Sequence, residues 1–452
     1  MIRNSEVFFF PSPGLLARDV ELRRGAENAQ PIARARRLRF IGSWSALLTF
    51  QHRLKRLEAE GLVVMLPKRV PGRDPSAPAR PQKATVSLLI ADGSIVEAAP
   101  DLRFQFERLR LRNFGPGETF TFDTVVQNPN PRGRITATGS VGPWNVSDRG
   151  ASRVSASYEL AGADLGQYSW TAGILTSRGT VKGMLSRLQV NGAADVTNFE
   201  INRNGHRVPL RVEYAAFVNG HNGDTTIESA NAQFLQTHLN ARGAISGSAG
   251  MHGKTVALDF VSREAQIQDL LVLATRAQRP ALNGPMTLSA HVVLPPRPGR
   301  FLEKVLLKGA FRIDPARFNT PSMQHRVNEL SIRAQRDDDD PARVLSALSG
   351  TVELRQGVAN LSEVRFTVPG AVTRGGGTYN VITKAVDLDG TVAMEATLSE
   401  ATGGWKSLFV KPFNWLFRNR REQAGAELPV RITGRYPNPT FKIVLFGKKR
   451  RR

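Results

Sequence analysis

The sequence contains no cysteine, which excludes a disulfide framework, a thiolate metal site and a cysteine nucleophile together. It has no run of about eighteen apolar residues, so no segment reads as a bilayer-spanning helix. The apolar stretch nearest the start, Val7 to Phe10, is cut off by Pro11 and Pro13 and reads as a strand start, with no signal-peptide pattern. Histidine is sparse: His52, His206, His221, His238, His252, His291 and His325 form no HxxxH or HExxH pair, and no zinc site is expected. There is no GxSxG elbow and no phosphate-binding GxxxxGK[ST] loop. Gly375-Gly376-Gly377 lacks a following Lys-Ser/Thr and reads as a turn. Acidic residues are the scarce charge, 39 against 62 basic ones, for a net charge of +23. Such an excess implies an anionic partner or surroundings, and the sign alone does not choose between nucleic acid, acidic lipid headgroups and lipopolysaccharide phosphates.

What is abundant is two-sided strand. In Val386 to Leu398 (VDLDGTVAMEATL) the even positions are apolar or small and the odd positions mostly polar. Side chains on a strand alternate between faces, so this segment has one oily and one wet side. Thirteen residues at about 3.3 Å each reach roughly 43 Å. The same pattern recurs along most of the 452 residues, punctuated by 40 Gly and 27 Pro. We expect a mainly β fold: an elongated, curled antiparallel sheet forming a groove, with a few short helices. Residues 1–72 form a first unit with a short helix begun at Ser43, and 73–83, in a proline-rich stretch, a linker loop. Residues 84–349 form an extended sheet that includes a hairpin about Asp92-Gly93, glycine punctuation at Gly173, Gly179, Gly183 and Gly192, a turn at Asn204-Gly205 and a helix over Ile267 to Thr275. Short helices are expected within 316–349, where Asp337 to Asp340 reads as a solvated loop and not a calcium site. Residues 350–452 bring further strands and an amphipathic helix over 404–420.

Candidate groove-lining residues are Leu102, Phe104, Phe106, Val364, Phe366, Val368, Val386, Leu388, Val392, Met394 and Leu398. Trp405, Phe409, Phe413, Trp415 and Phe417 on the helix are candidates for a membrane interface, with basic residues following them. No cofactor or metal is expected.

Several segments, in order, resemble the AsmA family of bacterial envelope proteins. Near the start these are PGLLARDVELRRG and HRLKRLEAEGLVVMLPK. In the middle they are IADGSIVEAAP, PRGRITATGSVGPW, FVNGHNGDT and AQIQDLLVLAT. Toward the end they are LSEVRFTVPG, VDLDGTVAMEATLSEATGGWKSL and LPVRITGRYPNPTF. Each is short and built largely of alternation and turns; their collinear order carries the likeness. The resemblance implies a periplasmic, inner-membrane-associated protein held by an anchor helix that this sequence does not contain. It implies a long apolar β-groove for phospholipid or another envelope lipid, with the inner-membrane surface and outer-membrane assembly proteins as partners, and a role in lipid transport or outer-membrane biogenesis. The family has no catalytic residues to carry over, so the chain is expected not to be an enzyme. Its basic residues are spread along the chain without aromatic-basic interleaving on a compact module, so it is expected not to bind nucleic acid. Two alternatives are a basic β protein that binds nucleic acid and a β-rich carbohydrate-active enzyme using Asp387 and Asp389, which share a strand face.

Overall fold

The computed structural model describes residues 4–23, 31–45, 53–65, 85–99, 102–145, 148–168, 170–201, 205–247, 253–274, 279–319, 328, 346–394, 427–436 and 438–443. Among them are twenty-six strands and few helical turns, so the fold is mainly β. The chain divides into two compact units, Met1–Phe199 with Pro209–Ala230, and Glu200–Val208 with Asn231–Arg452. The division falls within residues 84–349. The helix expected over 404–420 with its five aromatic residues, Leu398, the loop at 73–83 and the tetra-aspartate loop lie outside the described residues.

Unit 1 opens with β1 (Asn4–Phe8), β2 (Gly14–Arg23) and β3 (Pro31–Ile41), an antiparallel series. Next come β4 (Arg53–Glu60), β5 (Val63–Met65), β6 (Thr85–Ile90) and β7 (Ser94–Ala99), then β8 (Leu102–Phe114), β9 (Phe120–Pro129), β10 (Arg132–Val141), β11 (Arg153–Asp164) and β12 (Thr171–Met184). The expected hairpin at Asp92-Gly93 does not form. β6 and β7 run end to end along the long β8, Val86 opposite Phe114 and Ile95 opposite Gln105. Asp92 interrupts the line without reversing it: its carboxylate accepts the Leu109 N–H at 2.9 Å, and Gly93 takes φ +73°. β4 and β5 are likewise two pieces along β3, and they pair in parallel with β6 and β7. The sheet is therefore mixed here and antiparallel elsewhere in its described pairings.

β13 (Arg187–Ile201), β14 (Val208–Val218) and β15 (Thr225–Phe234) are followed in unit 2 by β16 (Thr237–Gly247), β17 (Lys254–Gln266) and helix α1 (Ile267–Ala274). Then come β18 (Leu282–Asn283), β19 (Pro285–Leu294), the single-turn helix α2 (Phe301–Lys304), β20 (Leu306–Phe318), β21 (Ser346–Arg355), β22 (Val358–Val368), β23 (Ala371–Asn380), β24 (Ala385–Met394), β25 (Glu427–Arg435) and β26 (Asn438–Ile443). β16, β17, β19 and β20 to β26 pair in that order, each antiparallel to the next. The register slips between Ser262 and Ala265, Ile313 and Ala316, Ser349 and Thr351, and Leu361 and Val364. Extra residues of this kind bend a strand and steepen its twist, so the slips curl the sheet near its α1 end.

Gly375, Gly376 and Gly377 are not a turn. They sit inside β23, and a Cβ on Gly375 or Gly377 would stand 2.2 Å from the carbonyl oxygen of Asp389 or Asp387 on β24. The strands approach too closely there for any side chain. The glycines at 173, 179, 183 and 192 are likewise interior to β12 and β13.

Candidate functional site

Unit 2 keeps one side of its sheet apolar from strand to strand. One row runs Leu258, Val292, Leu307, Leu354, Ala359, Tyr379 and Val386 across β17, β19 and β20 to β24. The next runs Phe260, Ala290, Gly309, Val352, Leu361, Gly377, Leu388 and Ile432, reaching β25. Period-two alternation and antiparallel register together place these residues opposite one another. None of the second row is buried; each side chain or glycine remains partly open to solvent.

One end of the same side is closed. Ala265, Leu282, Met286, Ile313 and Ala316 form a buried core, with Ile267, Leu270 and Leu271 of α1 packed on it. Ile313 is 2% exposed. α1 falls where its spacing placed it, because its apolar residues recur at i, i+3 and i+4. What pins it was not legible. Asp269 in its first turn is buried, and its Oδ2 accepts the Gln236 N–H and the Thr237 hydroxyl, both at 2.9 Å. The Thr237 oxygen in turn accepts the Gln266 N–H at 3.0 Å. A carboxylate in the first turn also suits the positive end of the helix dipole. At the other end of α1 the His206 N–H donates to the Val272 carbonyl at 2.9 Å. A Cβ on Gly205 would stand 1.9 Å from the Leu273 carbonyl oxygen. Gly205 serves this close approach, a role that the Asn-Gly pair, read as a turn, does not announce.

The residues expected to line a groove distribute as follows. Val386, Leu388 and Val392 of β24 lie on the apolar side, opposite Gly434, Ile432 and Leu428. Val364 and Phe366 lie on that side of β22; Val368 is buried there, 3% exposed. Phe366 meets Phe318 edge-on with ring centroids 6.0 Å apart. Met394 stands opposite Ala371 in register. Leu102, Phe104 and Phe106 belong to unit 1: Phe106 is opposite Ser94 and Val126, Phe104 opposite Val96, and Leu102, at the strand start, is exposed. Phe106 joins a longer row through Val126, Ile135 and Leu160, and Phe104 joins one through Val96, Val64, Ala33 and Leu22.

The other side of the sheet is wet and charged. In unit 2 an open depression of about 640 Å³ lies over the row Arg242, Asp259, His291, Lys308, Glu353 and Asn360. His291 Nδ1 stands 2.7 Å from Asp259 Oδ1. Asp387 is held by a forked pair of contacts from Arg431, 3.0 and 3.1 Å from Nη2, and Asp389 lies 3.5 Å from the same guanidinium. Asp387 raises the Arg431 pKa by hydrogen bonding and charge. The two carboxylates thus share one cation on an exposed sheet face. Among the described residues no three His, Asp or Glu side chains are arranged to hold a metal ion, and no helix is long and apolar enough to cross a membrane. The latter says nothing of crossing by strands.

In comparisons with known proteins, no family model, curated protein or solved structure matches this chain.

Proposed function

We propose that the chain handles lipid: the apolar side of its sheet receives acyl chains, and no chemistry is performed on them. The observation that carries this reading is the second row of unit 2, eight positions on eight strands, apolar or glycine throughout and partly open to solvent. An ordinary β core covers such a side with a second layer. Here α1 covers one end, and the rows beyond it keep hydrocarbon within reach of a ligand. An acyl methylene gains about 0.8 kcal/mol on leaving water, so a chain lying along several rows is held by many small contacts and can slide between equivalent places.

The reading extends to place and partner. The collinear AsmA-like segments favour a periplasmic protein associated with the inner membrane, serving outer-membrane biogenesis and meeting phospholipid and outer-membrane assembly proteins. The excess of basic charge suits acidic lipid headgroups.

The test is mass spectrometry of the purified full chain under native conditions, followed by solvent extraction. Diacyl lipid in excess over a non-binding control protein purified from the same cells is the expected result. Protein free of lipid, and unable to take up labelled phospholipid from vesicles, overturns the reading.

A further inference from the structure

The strands that open unit 1 end in an exposed aromatic tip. Register sets its geometry. Phe8 of β1 lies opposite Gly14 of β2, Gly14 opposite Ile41 of β3, and Ile41 opposite Arg56 of β4. The β1–β2 turn, the chain leaving β3 and the first residues of β4 therefore share one end of the sheet. The Gly42 N–H donates to the Pro13 carbonyl at 2.8 Å and ties the turn to the end of β3. Phe8 forms the base of the turn. Its ring lies over Gly14, where a Cβ would collide with it, and the Arg39 guanidinium lies over the ring, 5.3 Å from its centroid. Beyond that base Phe9 is 65% exposed and Phe10 90%. Trp44, three residues past the end of β3, is exposed as well.

The cations at this end differ from the others on the same strands. On the wet side Arg37 pairs with Glu60 at 3.1 Å, and Glu58 is shared by Arg39 and Arg56 at 3.6 and 2.7 Å. Arg53 and Lys55 alternate with Arg56 and Glu58, so they stand on the other side of β4, in line with Leu57 and Ala59. Both are exposed, and among the described residues neither has an acidic partner. On that side Leu57 continues an apolar row through Phe40, Leu15 and Val7. This end of the sheet thus offers exposed aromatic rings, two cations outside the ion-pair network and the edge of an oily surface.

Single exposed apolar residues are ordinary on a protein surface, but several gathered at one tip mark a contact. The chemistry of this tip fits one partner. Aromatic rings favour the boundary between lipid headgroups and acyl chains, and lysine and arginine beside them are drawn to the phosphates of anionic lipids. We propose that this end of unit 1 docks on an anionic phospholipid bilayer. Phe9, Phe10 and Trp44 enter the boundary layer, and Arg53 and Lys55 meet the lipid phosphates. The inference takes its partner from the lipid reading and assigns the contact to these five residues.

Flotation of the purified full chain with vesicles tests it, using phosphatidylcholine alone and phosphatidylcholine mixed with phosphatidylglycerol. The wild type should float with the anionic vesicles, less with the neutral ones, and less again in high salt. Phe10→Ser should weaken association with both about ten-fold, the factor equivalent to about 1.4 kcal/mol, whereas Phe10→Leu should keep most of it. Arg53→Gln combined with Lys55→Gln should weaken association with anionic vesicles about thirty-fold, from about 1 kcal/mol for each cation at the surface, and leave the neutral vesicles unaffected. All these residues are exposed, so an unchanged melting temperature shows that the variants fold. Wild type that ignores anionic vesicles, or that binds them as well after Phe10→Ser and the double glutamine change, overturns the inference. If that protein still carries lipid, the lipid reading stands. Tip-dependent vesicle binding by a chain that holds no lipid upholds the docking and overturns the acyl-chain reading alone. A wild-type dimer that Phe10→Ser dissociates assigns the tip to a second copy of the chain and overturns the inference.

Discussion

Within unit 2, the sheet end beneath α1 and the rows beyond it are built alike and finish differently. Both have alternating strands, matched registers and an apolar side. Under α1, Met286, Ile313 and Ala316 are buried; a few residues along the same strands, Ala290, Gly309 and Phe311 are not. Alternation therefore decides which side of a strand is oily, and a covering element decides whether that side is a core. Here the helix shares that role with Leu282 of β18 and with Leu239, Phe318 and Leu348, which pack on the same core. If the uncovered rows serve a ligand, the two regions should answer mutation differently.

The largest contrast is a pair of truncations. Ile313→Ala removes a fully enclosed side chain beneath the helix and should cost about 2–5 kcal/mol of unfolding free energy, the usual range for a buried aliphatic residue cut to alanine. Leu388→Ala, on the uncovered row, has no sealed cavity to leave and should cost less than about 1 kcal/mol, while reducing the amount of bound lipid. Chemical denaturation of both variants stripped of lipid, with lipid content measured separately on the native proteins, checks the pair. Equal destabilisation would mean that Leu388 is as enclosed as Ile313, and the contrast would fail.

A smaller effect is expected from releasing the helix without touching its apolar contacts. Thr237→Val keeps the side chain's shape but leaves Asp269 with one of its two hydrogen bonds and orphans the Gln266 N–H. A hydrogen bond to a buried charge contributes about 1.5–3 kcal/mol, so the variant should lose roughly that much. The loss should appear as faster amide exchange over Ile267–Ala274, with the strands beyond it little changed. Uniform loss of protection across unit 2 would show that the helix is not separately anchored.

How much of this was legible follows from which interactions are local. The strand at Val386, and the sides of Leu388 and Val392, come from alternation over a few residues. The same holds for α1, whose period is internal. Glycine misled wherever it serves a close approach and not a turn: Gly375 to Gly377 lie against the carbonyls of β24, and Gly179 and Gly192 lie beneath the rings of Tyr158 and Tyr214. The Asp92-Gly93 pair looks like a hairpin because nothing nearby reveals that β8 is long enough to hold both flanking strands. The parallel pairing of β4 with β6 was equally hidden, since alternation does not encode direction. Thr237 and Asp269 are 32 residues apart; no spacing rule joins them. The oily surface was thus readable, and the groups that pin its cover depend on register.

The wet side of the sheet sharpens the contrast from the opposite direction, with the smallest effect. Glu107 on β8 accepts hydrogen bonds from Arg134 at 2.9 and 3.0 Å and from Gln127 at 2.5 Å. The Arg134 hydrogen bond, followed by that of Gln127, holds its carboxyl below the usual glutamate range. A folded-state pKa below the unfolded one stabilises the fold above the unfolded value, about 4.3 for glutamate, and that contribution is lost as pH falls through the folded value. Glu107→Gln should therefore be slightly less stable than wild type at neutral pH, and the gap should close on acidification below about pH 4.3. Because the group is exposed, salt should shrink the gap as well, whereas the Ile313→Ala deficit, which involves no charge, should persist with both added salt and falling pH. Urea melts of both variants across that pH range, at low and high salt, separate the two behaviours. A Glu107 gap that widens on acidification would reverse the sign and remove the ion pair as its cause.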